Sequence, residues 1–276
     1  FRGVPYAEAP VGALRFCPPR RKTPWTGTLE AFEPGVIAPQ LASRLLGVMG
    51  DFTRPQSEDC LHLDIATPGL DDARRPVVVW LHGGGFSSGA GGLDWYDGSL
   101  LAGEGDVVVI GVNYRLGALG YLCASGISDG NLGLLDQALA LCVVFQLVQA
   151  SAGLPDTIAF DHAAADAMTG IDVLIGVTVD EADAFFALDP RAGELDACTL
   201  AELVADLYGP RGVEALDRMA RDGERTPGAL LSAVATQDVF VEPAIAFASR
   251  HAADGGKAYF YEFAWHPAGS PFGACH

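Results

Sequence analysis

The stretch VVVWLHGGGFSSGAGG, residues 77–92, joins an apolar run to a loop that contains six glycines. Val77 to Leu81 is a continuous run of branched and aromatic residues, which is typical of a strand covered on both faces of a parallel sheet. His82 and three consecutive glycines follow this strand directly. Because glycine has no Cβ atom, the pattern predicts a strand that ends in open backbone, which a ligand can approach closely.

The composition is that of a globular protein with a sizeable core. The chain has 276 residues, of which 50% are hydrophobic, and this is enough for one large domain. Its formal net charge of −18 repels nucleic acid and anionic lipid, so we expect no nucleic-acid partner. The sequence has no run of about 18 uncharged apolar residues, and we therefore expect no membrane span and no membrane partner.

The cysteines and histidines do not form a metal-binding pattern. The six cysteines are far apart without a C-x-x-C pair, and no H-E-x-x-H motif occurs, so no metal is expected. An even number of cysteines is compatible with disulfides. In a chain this large and apolar, however, we expect mostly free, buried thiols.

Strands alternate with helices along the chain. The apolar runs predict strands at 77–81, 107–112, 173–177 and 257–263, and the helical periodicity predicts helices at 132–141, 199–209 and 212–223. A further helical region begins with Thr226 as N-cap and Pro227 in the first turn, and it ends at Gly255. This order predicts an α/β fold with a largely parallel sheet.

The HGGG segment, residues 82–85, leaves the carboxyl end of a predicted strand, where open α/β sheets place their binding sites. Adjacent glycine N–H groups can serve as an oxyanion hole, which stabilises the negative oxygen formed when a carbonyl is attacked. A tight loop and a phosphate cradle are the alternatives. The chain lacks both G-x-x-x-x-G-K-[ST] and G-x-G-x-x-G, which argues against the cradle. HGGG after a buried strand is the oxyanion signature of lipases and esterases.

Four ordered motifs resemble those of the type-B carboxylesterase family, the group that includes the cholinesterases. They are FRGVPYAEAPVGALRF (1–16), SEDCLHLDI (57–65), GVNYRLGALGYL (111–122) and GNLGLLDQALAL (130–141). The resemblance implies an α/β-hydrolase fold, with a mostly parallel central sheet flanked by helices. It also implies hydrolysis of a small-molecule carboxylic ester through an acyl-enzyme intermediate, without a cofactor. Gly84 and Gly85 would donate the oxyanion N–H groups.

The resemblance also implies an acid and a base. LIGVTVDEADAFF (174–186) resembles the family segment that carries the triad acid, which gives this role to Glu181. FGACH, at the end of the sequence, resembles the segment of the triad histidine, which makes His276 the base. Without the resemblance, Glu181 would be interpreted as part of a solvated turn and His276 as a solvated end. We interpret His82 and His266 as structural.

The nucleophile is the difficulty in this interpretation. The family needs G-x-S-x-G on a sharp strand-to-helix turn, and this motif occurs nowhere in the 276 residues. The nearest string is VQASAG (148–153), which makes Ser151 a weak candidate, since Gln149 replaces the first glycine and would crowd the turn. The same string also resembles a later strand of the family, which ends in the sequence Q-S-G. The nucleophile is therefore unknown.

The region near 142–153 stands where the family has a longer segment that includes this turn. Either the chain has a real internal deletion, or the protein has a segment that the sequence omits. Because a missing central strand would leave backbone N–H and C=O groups unpaired, we favour the omission. We predict a single α/β-hydrolase domain over residues 1–276 that lacks this central segment and the family's part after 276. The opposing interpretation is a catalytically inactive, cholinesterase-like binding module.

Ion pairs and cysteines complete what the resemblance implies. Arg15 would pair with Glu58, and Arg115 with Asp238, as buried structural ion pairs. Cys60 occupies a disulfide-forming position of the family, but the partner position holds no cysteine, so this disulfide is absent. These features favour a bacterial cytoplasmic protein over a secreted one. The sequence does not indicate the acyl or alcohol preference or the oligomeric state.

Overall fold

The computed structural model describes residues 1–42, 54–152, 172–186, 189–221, 223, 225–270 and 273–274, and in 145–152 and at 184 it describes the backbone alone. It divides into two compact units, Phe1–Ala159 and Phe160–His276, which we call the N-terminal and C-terminal units. Each unit has its own sheet and its own buried cluster. The two units are therefore described separately.

The N-terminal unit is built on a four-stranded sheet with the order β1-β2-β4-β3. The strands are β1 (Val4–Pro5), β2 (His62–Ala66), β3 (Val77–Leu81) and β4 (Val108–Val112). β3 runs parallel to β4 from Val77 opposite Val108 to Leu81 opposite Val112. β2 pairs with both β1 and β4 in the antiparallel direction. The predicted parallel arrangement therefore holds only for the β3–β4 pair, which leads into the glycine segment.

Short helices and one long helix accompany this sheet. They are α1 (Ser99–Gly105), α2 (Gly117–Tyr121) and α3 (Leu132–Ala152), with 3₁₀ turns at Gly12–Leu14 and Asp94–Tyr96 and a hairpin of β5 (Cys123–Ala124) and β6 (Ser128–Asp129). The main core packs side chains of β2 and β4 against those of α3 and the N-terminal segment, and its fully buried members include Tyr6, Leu61, Leu63, Val112 and Leu116. Burial of this apolar surface is the main stabilising contribution to the unit.

The C-terminal unit combines two parallel strands with several helices. Strand β7 (Val173–Thr178) pairs with β8 (Ala258–Phe263) over six residue pairs. The helices are α4 (Asp183–Phe186), α5 (Pro190–Glu194), α6 (Ala197–Arg221), α7 (Pro227–Thr236) and α8 (Glu242–Ala253), with a π-helical turn at Gln237–Val241 between the last two. One buried cluster joins α6 to α7, and a smaller cluster joins β7 to the π-helical turn and α8.

Most predicted elements are present within one or two residues. The helices predicted at 199–209 and 212–223 form α6, whose backbone leaves helical geometry at Gly209, with φ of 61° directly before Pro210. Thr226 caps α7 as predicted, because its hydroxyl accepts a hydrogen bond from the N–H of Ala229 at 3.3 Å.

Strand β3 differs from the prediction in its burial. Val78, Trp80 and Leu81 are 39%, 43% and 38% exposed, so the prediction that both faces are covered is wrong for the part of the chain that the structure describes. The reason is its place in the sheet: β3 lies at one edge, and among the described residues it pairs only with β4. The unpaired backbone groups and apolar side chains of such an edge strand favour pairing with another strand.

Helix α3 continues well beyond its predicted end at residue 141. It runs from Leu132 to Ala152, so the polypeptide passes through residues 142–152 as one continuous helix. The preference for an omitted family segment near residues 142–153 stays a prediction. The single-domain prediction for residues 1–276 stays a prediction.

Two ion pairs were predicted, and one has a different partner. Arg15 contacts both carboxylate oxygens of Glu58 at 2.5 and 2.6 Å, as predicted, although the Arg15 side chain is half-exposed rather than buried. Arg115 does not pair with Asp238. It pairs with Asp136 of α3, within the same unit and with both side chains buried, whereas Asp238 bonds to Arg211 at 3.2 Å.

The cysteines are free but mostly not buried. The five that the structure describes form no disulfide. Among these five only Cys60 is buried, and burial raises the pKa of its thiol to about 12. Cys123 and Cys198 are exposed, so the prediction of mostly buried thiols is wrong for the described cysteines. Both lie at a helix or strand end, where the fold leaves side chains open to solvent.

One helical run among the described residues is long and apolar enough to cross a membrane by length and composition. It spans the 27 residues Pro227–Ala253, and 44% of its most apolar window is buried inside the protein. Helices that pack in a protein core pass the same test, and this run contributes Val241 and Ala244 to a buried cluster. The run also contains Asp238, which bonds to Arg211. These contacts favour a core helix over a membrane span.

Candidate active site

The glycine loop, residues 82–91, follows β3 at its carboxyl end. Gly83, Gly84 and Gly85 are exposed, and their N–H groups donate no hydrogen bond to any group in the described ranges. The carbonyl oxygen of Gly84 is turned into the loop, where it accepts hydrogen bonds from the N–H groups of Ser87 and Ser88, each at 3.1 Å. The loop therefore presents free donors to solvent while its acceptor is occupied.

Two glycines in this loop cannot carry a side chain. Gly84 has a φ of +122°, and a Cβ atom there would lie 1.9 Å from the carbonyl oxygen of Ser88. A Cβ atom on Gly89, at φ +109°, would lie 2.4 Å from Nδ1 of His82. A side chain at either position would therefore collide with the loop itself, which explains the glycine at both places.

His82 anchors the start of the glycine loop. Its ring stacks on Tyr114 with the centroids 4.3 Å apart, and the Tyr114 hydroxyl donates to the His82 carbonyl oxygen at 2.5 Å. Nδ1 of His82 lies 2.8 Å from the carbonyl oxygen of Gly83. Burial lowers the pKa of His82 to about 4, so the ring is neutral at physiological pH and acts as a structural support. This agrees with the structural role that the sequence predicts for it.

The buried His82 predicts a pH dependence of stability. Its pKa is about 4 in the folded protein against 6.5 ordinarily, so the unfolded chain binds more protons between these values. Stability should therefore fall as the pH falls from 6.5 to about 4, by about 3 kcal/mol from this residue. Chemical denaturation of the protein and of His82→Gln across this range measures the effect.

The comparison of slopes isolates His82 from the many carboxylates that titrate in the same range. Wild-type protein should lose about 3 kcal/mol more than His82→Gln on acidification. Equal slopes in wild type and His82→Gln would contradict the prediction.

Glu181 lies in the turn that follows β7, in the C-terminal unit. The residue is only 6% exposed, and its Oε1 atom accepts a hydrogen bond from the N–H of Thr178 at 2.7 Å. The next residue, Ala182, donates its N–H to the Thr236 hydroxyl at 3.0 Å. The carboxylate is thus held in one orientation at the end of a strand, where an acid that orients a histidine is required to be rigid.

The segment before the sequence end reaches this same turn. Oδ2 of Asp180 accepts a hydrogen bond from the N–H of Ala274 at 2.8 Å, and Ala274 is buried. Gly273 has a φ of +56°, and a Cβ atom there would lie 2.4 Å from the same carboxylate oxygen. His276 lies outside the described residues. The chain is nevertheless tied to the residue beside Glu181 only two positions before it.

Ser151 lies in the last turn of α3, where the structure describes the backbone alone. Its helical backbone is not the strand-to-helix turn on which the family carries its nucleophile. The predicted residues therefore fall in two groups. Gly84 and Gly85 belong to the N-terminal unit, and Glu181 belongs to the C-terminal unit together with the segment that leads to His276.

One cavity in the N-terminal unit is separate from the glycine N–H groups. Its volume is about 440 Å³, and its lining includes Asp64, Gly92, Tyr96 and Val109 but neither Gly84 nor Gly85. Among the described residues no group of three or more His, Cys, Asp or Glu side chains is placed to hold a metal ion.

The sequence does not reveal the residues that hold the glycine loop. Tyr114 fixes its start, and Asn113 accepts the N–H of Gly91 at 2.8 Å at its end. Gln40 bonds to Gly89 from a distant part of the chain. The only signal for the first two is that polar residues directly follow the apolar strand β4. No feature of the sequence near Gln40 indicates that it contacts the glycine loop.

Comparison with known proteins agrees with the motifs and the fold. The model of the carboxylesterase family matches residues 1–164. A probable N-octanoylanthranilate hydrolase of Rhodococcus erythropolis is 48% identical over 180 residues, which are 62% of this chain and 39% of that protein. Phenmedipham hydrolase of Pseudarthrobacter oxydans is 47% identical over 162 residues, which are 57% of this chain and 32% of that protein. The chain thus spans well under half the length of these relatives.

Solved structures extend the likeness to the whole chain. A PNB esterase structure superimposes with a TM-score of 0.75 at 27% identity, and the match covers 100% of this chain and 78% of the other. The fold is therefore the α/β-hydrolase fold that the resemblance implies. On the family match over more than half of its residues, this chain belongs to the carboxylesterase family.

Proposed function

We propose that the protein hydrolyses carboxylic esters of small molecules. The observation that carries this proposal is the glycine loop, where the N–H groups of Gly84 and Gly85 stand free and exposed at the end of β3. When a nucleophile attacks an ester carbonyl, the carbonyl oxygen becomes negatively charged. Donors that already point at this position stabilise the charge without reorganisation, which is usually the largest single contribution to such catalysis.

The acid and base follow the family's arrangement. His276 would take the proton of the attacking hydroxyl and return it to the leaving alcohol, and Glu181 would orient the ring and stabilise its cation. The acyl group would then be transferred from the nucleophile to water, with the same histidine as base. Two contacts support these roles: the Glu181 carboxylate is buried and oriented by Thr178, and Ala274 bonds to the neighbouring Asp180.

The nucleophile remains unidentified, and Ser151 is the candidate that the sequence offers. The absence of G-x-S-x-G from the sequence favours a second function, in which the chain is an inactive binding module of the cholinesterase-like kind. A binding module, however, has no physical need for free oxyanion donors together with a buried, oriented Glu181. A location in the bacterial cytoplasm also stays a prediction, as does the absence of nucleic-acid and membrane partners.

Labelling with a fluorophosphonate separates the two functions. The reagent phosphonylates only an activated serine, so the active enzyme should gain the mass of one phosphonyl group over its 28.8 kDa. Intact-mass spectrometry of the purified protein measures this, and peptide mapping locates the serine. Ser151→Ala should abolish the adduct if Ser151 is the nucleophile. Glu181→Gln should slow the labelling, because the histidine loses its orienting carboxylate.

Heat-denatured protein is the control for non-specific labelling and should gain no mass. An adduct that disappears on denaturation and accompanies hydrolysis of short-chain esters supports the hydrolase. Native protein that gains no mass and hydrolyses none of these esters contradicts it, and the binding module is then the better interpretation.

A further inference from the structure

The carboxamide of Gln40 brackets the backbone of Gly89. Its Oε1 atom accepts the N–H of Gly89 at 2.7 Å, and its Nε2 atom donates to the carbonyl oxygen of the same residue at 2.9 Å. Nε2 also donates to the carbonyl oxygen of Ala38 at 3.0 Å, and the backbone N–H of Gln40 donates to Oε1 of Gln56 at 2.9 Å. Both backbone groups of Gly89 are therefore held by one side chain that is itself fixed.

The position of Gly89 determines the shape of the turn before it. The preceding residue, Ser88, donates its N–H to the carbonyl oxygen of Gly84 at 3.1 Å, and Ser87 does the same. The Ser87 hydroxyl adds a further bond to this oxygen at 3.1 Å. Fixing Gly89 therefore fixes the Ser88 end of the turn and, through these bonds, the direction of the Gly84 carbonyl.

The direction of the Gly84 carbonyl in turn sets the direction of an oxyanion donor. The C=O of Gly84 and the N–H of Gly85 belong to one planar peptide group, in which the two bonds point in opposite directions. As long as the carbonyl is held inside the turn, the N–H of Gly85 points out of it. If the turn opens, this peptide can rotate and the donor loses its direction.

We infer that Gln40 is a positioning residue for the oxyanion donors, acting on the Gly85 N–H through Gly89 and the Gly84 carbonyl. This inference rests on the proposed function. Gln40 does not touch the reacting atoms, so its contribution is the preorganisation that makes the donors effective. It lies more than 40 residues before the loop in sequence, and its carboxamide is uncharged, so the bracket does not depend on pH.

Gln40→Met tests the bracket, because methionine has a similar length but makes neither bond to Gly89. Hydrogen exchange of the Ser87 and Ser88 amides should become about tenfold to hundredfold faster, since the turn then opens more often. These amides do not contact Gln40, so a role confined to Gly89 would leave them unchanged. Gln237→Met, in the C-terminal unit, is the matched control and should leave both amides as in wild type.

Ester hydrolysis provides the second measurement. In Gln40→Met, kcat should fall about tenfold or more with KM within about twofold, since the donors act mainly in the transition state. Gln40→Glu keeps an acceptor for the Gly89 N–H and loses the donor, so it should fall between wild type and Gln40→Met in both measurements. If Gln40→Met destabilises the whole N-terminal unit, Gln40→Glu replaces it as the test. The faster amide exchange in Gln40→Glu must then be confined to residues 84–89.

Two failures are distinguishable in this design. Wild-type protein that hydrolyses no ester refutes the proposed function, and the exchange of Ser87 and Ser88 still decides whether Gln40 holds the turn. Unchanged exchange of these amides in Gln40→Met overturns the inference, as does exchange in Gln40→Glu that rises equally over β3 and β4. A kcat of Gln40→Met equal to the kcat of the control Gln237→Met overturns it too.

Discussion

Asp136→Ala should lower the free energy of unfolding of the N-terminal unit by about 3–5 kcal/mol. Asp136 accepts from the backbone N–H, Nε and Nη2 of Arg115 at 3.0, 2.8 and 2.6 Å. The two side chains are 0% and 3% exposed. Without the carboxylate, the only hydrogen bond left to the Arg115 guanidinium among the described residues is the one to the Cys17 carbonyl oxygen at 2.8 Å. The buried positive charge is then uncompensated, which is strongly destabilising.

Urea denaturation followed by circular dichroism measures this loss, and an exposed pair in the same unit is the control. Asp94 is 87% exposed in its bond to Arg54, so Asp94→Ala should change the stability little. The double variant Arg115→Met/Asp136→Leu should recover much of the loss, because it removes both charges together. A midpoint for Asp136→Ala equal to that of Asp94→Ala would contradict the prediction.

The pairing of Arg115 also shows what the sequence alone could not predict. Its position after β4 and the family resemblance indicate a buried ion pair, but the chain offers 35 acidic residues as partners. Asp136 is chosen because α3 packs its first turns beside the strand end that carries Arg115, and this depends on tertiary packing. Periodicity identifies α3 as a helix but does not indicate which strand end it meets.

Local signals were sufficient where the backbone itself determines the outcome. Gly209 and Pro210 interrupt α6 where the sequence predicts two helices, and Thr226 with Pro227 begins α7 as predicted, since each acts within one helical turn. The exposure of β3 was not predictable, because an apolar run indicates a strand but not its position in the sheet. Likewise, the glycines predict an open loop, whereas the side chain that brackets it comes from a distant segment.

Gly84→Ala should lower kcat for a short-chain ester about 10²–10³-fold, the loss expected when an oxyanion donor is removed. The added Cβ atom would lie 1.9 Å from the Ser88 carbonyl oxygen, so the turn has to open. The φ of +122° is, in addition, a conformation that alanine rarely adopts. Steady-state kinetics and the rate of fluorophosphonate labelling both report the loss, and labelling needs no knowledge of the preferred ester.

Gly83→Ala provides the matched control one residue earlier in the same loop. A Cβ atom on Gly83 would meet nothing within 4 Å, its φ is not positive, and the variant keeps its N–H. It should therefore change kcat by no more than about twofold, which corresponds to about 0.5 kcal/mol. Equal losses in the two variants would show that any side chain in the loop blocks the site. A loss confined to Gly84→Ala would instead show that the direction of the donors matters, because only this variant forces the Gly84 carbonyl out of the turn.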